Sequence, residues 1–163
     1  MAYTVFLKED MAGQVLTSKL KAGRYLPSGT PTALENGAIV QIGELISGQR
    51  ELHTLTNPTT SLTLNQVGIV YNPEVIVDKA TSYNRDEFRN LAGSNLRVYQ
   101  LEKGDRFALT VEGFTATPTV GQYACVGATT KIVPANAEGT GATIGIVKEI
   151  FTQGSKTFYS IEV

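Results

Sequence analysis

The chain has 163 residues, 42% of them apolar and 18% charged, with 14 Lys and Arg against 15 Asp and Glu for a net charge of −1. That composition is globular and excludes a disordered polyelectrolyte; the near-zero charge argues against a protein built to grip nucleic acid, which needs a clustered cationic excess. The single cysteine rules out an internal disulfide, and apolar runs such as Ala38–Val40 and Val75–Val77 fall far short of the ~20 residues of a membrane span.

In chain order, Met1–Asp10 carries no secretory pattern, so a soluble protein made without export is expected. After Met1–Leu7, which can be extended, Lys8–Thr32 holds Gly13, Gly23, Pro27, Gly29 and Pro31 without sustained periodicity, and residues 1–32 read as an extended N-terminal arm or irregular lead-in. From Asn36-Gly37 the pattern sharpens. Ala38–Leu45 and Arg50–Thr56 form a hairpin candidate around Ser47-Gly48; Ser61–Leu64, Gly68–Tyr71 and Glu74–Val77 follow as β segments, the last two separated by the turn Asn72-Pro73.

Ser82–Leu91 breaks this rhythm. Acidic Asp86 and Glu87 early, basic Arg89 late and Gly93 just beyond predict one short helix aligned with its dipole. Leu96–Leu101 returns to strand. Arg106–Glu112 then alternates Phe107, Leu109 and Val111 on one face against Arg106, Ala108, Thr110 and Glu112 on the other, the period of two of a half-buried strand. Gln122–Val126, Lys131–Val133 and Ala142–Ile150 continue the pattern, and Gln153-Gly154-Ser155 turns into Thr157–Val163. The expectation is a mainly β fold: residues 33–163 as a single antiparallel barrel or sandwich domain with one short helix near 82–91.

Residues able to do chemistry are few. His53 alternates with Leu52 in Glu51–Leu55, without a second histidine or nearby cysteine, and fits a surface or core-edge strand residue better than a ligand or base. Cys125 sits between apolar neighbours, where a free thiol behaves as a small hydrophobe. The string Gly139–Gly145 lacks the helix that a dinucleotide fingerprint requires, and reads as a loop entering a strand. Glu9-Asp10 and Asp86-Glu87 are adjacent pairs whose side chains diverge, without calcium-loop spacing. No catalytic residue, metal site or cofactor is expected.

Binding readings have more to stand on. Seven tyrosines among scattered cations could form a stacking platform for sugars or single-stranded bases, although tyrosine is also an ordinary strand residue and tryptophan is absent. The N-terminal arm offers Lys19, Lys21 and Arg24, and Tyr3, Val5 and Leu7 lie in a β-prone segment that could add to a partner's sheet; an ordinary first strand of this protein's own fold explains that segment equally well.

Three stretches, Asn36–Glu44 (NGAIVQIGE), Gly68–Asp78 (GIVYNPEVIVD) and Phe88–Thr110 (FRNLAGSNLRVYQLEKGDRFALT), carry a resemblance. Their layout is a glycine-introduced hairpin, a "GIV…PEV" strand pair, a short acidic helix ending in Ala-Gly, and an "L-x-x-G-D-x-F" turn into a strand. It resembles tailed-bacteriophage proteins encoded beside major capsid genes, among them capsid decoration or cement proteins with small β-barrel or β-tulip domains. The resemblance implies a non-enzymatic virion structural protein, made in the host cytoplasm and bound to the outer capsid surface. Its implied partners are the major capsid protein and further copies of itself, a trimer for instance, with neither nucleic acid nor membrane involved. A receptor- or glycan-binding module of a phage tail or adhesin is the alternative expectation.

Overall fold

The computed structural model describes residues 2–74, 85–139 and 142–163. Eleven strands occur among them: β1 (Phe6–Asp10), β2 (Leu20–Tyr25), β3 (Ile39–Leu45), β4 (Leu52–Thr56), β5 (Val67–Val70), β6 (Leu96–Gln100), β7 (Arg106–Leu109), β8 (Tyr123–Val126), β9 (Ile132–Ala135), β10 (Thr143–Gln153) and β11 (Lys156–Glu162). They make two units. Strands β2-β4-β3-β5-β6 close into a barrel, and β1-β7-β11-β10-β8-β9 form a six-stranded antiparallel sheet. The barrel is mixed rather than purely antiparallel, because β2 runs parallel to β4, Ala22 opposite Leu52 and Tyr25 opposite Leu55.

The wall β3-β5-β6 explains the least ambiguous part of the sequence. Its residues alternate between two cores: Val40, Val70 and Val98 fill the barrel interior with Tyr25, Leu55 and Leu96. Ile39, Val67, Ile69 and Tyr99 point the other way, onto Phe107, Leu109, Ile144, Val147 and Ile161 of the sheet. A strand buried on both faces needs a continuous apolar run rather than alternation, and Val67–Val70 (VGIV) is buried at all four positions. Five strands leave little space inside the barrel. A Cβ on Gly68 would stand 2.3 Å from Val98 Cγ1, so glycine is the residue that fits there.

Four expectations change. Residues 1–32 are not an irregular lead-in: they supply β1, paired antiparallel with β7, and β2, which closes the barrel against β6 and β4. Ser61–Leu64 is not a strand; it enters a 3-10 turn at Leu64–Gln66, where the Thr63 amide donates to Gln66 Oε1 at 3.0 Å. The helix expected over Ser82–Leu91 reduces, in its described part, to a 3-10 turn at Arg85–Glu87, after which Asn90 bridges to Leu34; among the described residues there is no α-helix. The strand at Arg106–Glu112 ends at Leu109 and passes into a 3-10 turn at Val111–Gly113. The segment expected at Glu74–Val77, from Val75 onward, and Thr140-Gly141 of the glycine string lie outside the described residues.

Barrel and sheet meet at Gly37. Its φ is +79°, a left-handed conformation, and a Cβ there would lie 2.6 Å from Leu109 Cδ2 and 3.0 Å from Thr4 Cγ2. Gly48, in the β3–β4 turn, has the same φ of +79° with nothing within 4 Å. Both alanine variants carry the backbone strain, but only Gly37→Ala adds the clash. Urea titration should therefore show Gly48→Ala losing about 1 kcal/mol and Gly37→Ala about 2–3 kcal/mol more; equal losses would mean the junction yields freely.

Tyr25 allows a second check. Burial raises its phenol above the ordinary value of 10.0. The unfolded chain therefore ionises first, and the group's stabilising contribution, intact below pH 10, is lost as the pH rises through the folded-state value. Tyr25→Phe should flatten this alkaline decline, and one tyrosine in the native protein should reach its phenolate absorbance late.

Candidate interaction surface

The residues singled out for chemistry are held as framework. His53, half-buried on β4, has Nδ1 2.8 Å from the carbonyl of Gly43. That carbonyl lies in a β3 bulge, where the register slips between Ile42 and Leu45, so the ring partners a backbone group at an irregular stretch of the ladder. Cys125 is buried in β8, flanked in register by Thr143 of β10 and Val133 of β9. Among the described residues no three His, Cys, Asp or Glu side chains gather as a metal site would require.

The six partner-facing candidates separate. Val5 is 1% exposed and buried with Ala108 and Phe158, with Leu7 packed on the rim of that cluster, so Val5 is spent inside the fold rather than offered to a partner. Tyr3 is half-buried, its ring centroid 5.6 Å from the Arg89 guanidinium carbon. Lys19 is ion-paired with Glu102, and Arg24 Nε donates to Asn95 Oδ1 at 2.9 Å. Lys21 makes no ion pair among the described residues and lines an open cleft with His53.

Edge addition through the first strand meets an obstacle. β1 is outermost in its sheet, but the Thr4 amide and hydroxyl both donate to Glu35 Oε2 at 2.7 Å, and Phe6 is fully buried. The carboxylate takes hydrogen bonds at the place where an added strand would begin. Among the described residues a tyrosine platform is equally short of surface: Tyr25, Tyr99 and Tyr159 are buried, and Tyr3, Tyr71 and Tyr123 half-buried.

What stands out is a feature the residue pattern concealed inside the apparent lead-in. Between β1 and β2, two 3-10 turns at Ala12–Gln14 and Thr17–Lys19 present Val15 and Leu16, 83% and 52% exposed. This loop is fastened along its length. Met11 is buried; the Ala12 amide donates to Asp105 Oδ1 at 2.8 Å; Gly13 lies so close beneath Tyr99 that a Cβ would stand 2.7 Å from Cδ1; and Lys19 reaches Glu102. Asp105, itself 3% exposed, also accepts the Glu102 amide through Oδ2 at 3.0 Å. Two adjacent aliphatic side chains are thus held outward by a loop with little freedom to withdraw them. The signal in the sequence was a Val-Leu pair between polar neighbours, with none of the periodicity that would mark it as core.

Elsewhere, Asn36, Asn72 and Asn90 tie the chain after β5 to the segment before β3. Asn36 Nδ2 donates to the Asn72 carbonyl at 2.9 Å, the Asn72 amide returns a bond to Asn36 Oδ1 at 2.9 Å, and Asn90 Nδ2 donates to Asn36 Oδ1 at 3.1 Å. Asn72 and Asn90 also line a cleft of about 530 Å³ with Phe88, Arg89, Asn95 and Arg97.

No protein-family model, curated protein or solved structure matches this chain.

The Glu35 cap is directly testable. Glu35→Ala removes two hydrogen bonds to a charged acceptor and should cost about 2–3 kcal/mol, together with faster amide exchange at Thr4. Unchanged exchange at Thr4 would mean that the carboxylate does not hold the strand in solution.

Proposed function

We propose that the protein is a non-enzymatic structural component of a tailed-bacteriophage head, attached to the outer capsid surface as a decoration or cement protein and working in more than one copy. The observation that carries the reading is where the resembling stretches fall. Asn36–Glu44 holds most of β3, Gly68–Asp78 most of β5, and Phe88–Thr110 all of β6 and β7. In space β3, β5 and β6 are consecutive strands of the barrel, the wall shared with the sheet.

The individual motif residues have structural work that suits this reading. Asn36-Gly37 forms the junction with Thr4 and Leu109, and Gly104-Asp105 gathers the β1–β2 loop, the β6–β7 turn and the chain end, the Gly104 amide donating to the Val163 carbonyl at 2.9 Å. A likeness concentrated on such positions is a likeness of scaffold. A shell-reinforcing protein needs a rigid scaffold and a surface that meets its neighbours, and the outward-held Val15-Leu16 pair offers such a surface.

Co-sedimentation of the purified protein with empty shells of the matching phage tests the proposal. Saturable binding at a fixed ratio to capsid subunits is the expected result, and that ratio gives the symmetry of attachment. Absence of binding, with virions that lack the protein, would overturn it and turn attention to the glycan-binding alternative.

A further inference from the structure

The one histidine of the sequence shares a cleft with two cations that are in no ion pair among the described residues. His53, Lys21 and Arg50 line an opening of about 420 Å³ together with Thr17 and Glu51. The parallel pairing of β2 with β4 assembles it: Ala22 lies opposite Leu52 and Gly23 opposite His53, so Lys21 and Arg50-Glu51 enter the barrel at the same end of the pair. Among the described residues neither Lys21 nor Arg50 nor Glu51 is in an ion pair, whereas the neighbouring Lys19 and Arg24 are engaged with Glu102 and Asn95. Two cations against one carboxylate leave a net positive charge. Nδ1 of His53 is committed to the Gly43 carbonyl, and Thr17 brings a hydroxyl donor among the lining residues.

We propose that this cleft receives a side-chain carboxylate from an acidic segment of a protein partner, and that Val15 and Leu16 cover adjoining apolar surface of the same partner. Arginine with lysine is suited to a carboxylate, the guanidinium through paired N–H donors and the ammonium as a point charge. A protein segment fits better than nucleic acid for two reasons. The exposed Val15-Leu16 pair immediately precedes Thr17 in the lining, and apolar side chains match a protein surface rather than a phosphate backbone. The chain also lacks the cationic excess and, among the described residues, the exposed tyrosines that would track and stack a strand of bases. Since the Ala12–Lys19 loop is already fastened by Asp105, Tyr99 and Glu102, docking would order little that is not ordered beforehand. The cleft stands independently of the capsid reading; within that reading the acidic segment would belong to the capsid subunit.

His53 supplies its own reporter, because a sole histidine gives ring resonances that need no assignment. Adding a hexaglutamate peptide to the full chain should shift them saturably. Lys21→Gln combined with Arg50→Gln should weaken the response about tenfold or more, with thermal unfolding unchanged. A peptide carrying leucines beside its glutamates should bind the native chain several-fold more tightly than hexaglutamate, and Leu16→Ser should erase that gain. An unmoved histidine, or an undiminished response in the double variant, overturns the proposal. So does an equal response to inorganic phosphate, which would mark a general anion site, or tighter binding of a thymidine oligonucleotide. A chain that answers the peptide but ignores phage shells retains the cleft and loses the capsid role.

Discussion

The antiparallel pairing of β1 with β7 is the constraint on which the rest of the structure depends. Phe6 stands opposite Leu109 and Lys8 opposite Phe107, across about a hundred residues that include every strand of the barrel. The barrel is thus an insertion between two neighbouring strands of the sheet, and the β1–β7 pairing closes a loop that holds the whole barrel. Phe6 secures both sides of that closure: its ring is 5.8 Å from Phe107 on the sheet and 5.4 Å from Tyr71 just beyond β5. Lys8, two residues along the same face, covers the aromatic group with its ammonium 4.7 Å from the Tyr71 centroid and 5.5 Å from that of Tyr99. Contacts this distant in sequence cost the entropy of closing a long loop, the feature that across small domains goes with slower folding.

The shared wall β3-β5-β6 turns two small units into one mechanically coupled body. A five-stranded barrel encloses only a narrow interior, and a single sheet buries one face. By presenting alternate residues to each side, the wall lets Val40 and Ile39, or Val98 and Tyr99, serve different cores from adjacent positions. Glycine is what permits the close approach: Gly68 inside the barrel leaves room for Val98, and Gly37 at the seam leaves room for Leu109 and Thr4. The remaining outer face of the sheet is covered by a smaller cluster of Val5, Ala108 and Phe158, with Phe151 stacked 5.6 Å from Phe158.

Legibility in the sequence followed how much of each element's burial was its own. β3, β4, β6, β7, β8 and the β10–β11 hairpin carry apolar residues at strand spacing between turn residues, and they were readable. β1 was readable only as one of two alternatives for Tyr3–Leu7, an ordinary first strand of the fold or an edge for a partner, and β2 was not readable. Phe6–Asp10 (FLKED) ends in charges and Leu20–Tyr25 (LKAGRY) is half polar, both being ordered by partners elsewhere in the chain, β7 for one, β4 and β6 for the other. The helix expected near residue 86 rested on charges at its ends. Those charges favour a helix only where the chain is free to form one, and Asn90, whose amide and carbonyl exchange hydrogen bonds with Leu34, binds the described part into a bridge instead. The same limit hid the surface features. Nothing local marks Val15-Leu16 as outward-held, since Asp105 and Tyr99 fix that loop from about ninety residues away.

The distribution of satisfied polar groups separates scaffold from surface. Asp105 accepts two amides in near-complete burial, Glu35 takes both donors of Thr4, and the Asn36–Asn72–Asn90 set exchanges bonds among its own members and their backbones. Each sits where one part of the chain must be held against another, and removing a member would leave a buried partner unsatisfied, a loss larger than the net worth of the bond itself. Lys21 and Arg50 are different. Among the described residues they are in no ion pair and share their cleft with a single carboxylate, Glu51, where β2 and β4 run in the same direction, beside two aliphatic side chains that the fold keeps in water. Among the described residues the side chains of these two cations are in no ion pair and Val15 and Leu16 are exposed, so the scaffold positions these groups without such contacts in return. That asymmetry, a fastened loop beneath groups whose own bonding is unfinished, is the ground on which the proposal of a docking partner rests.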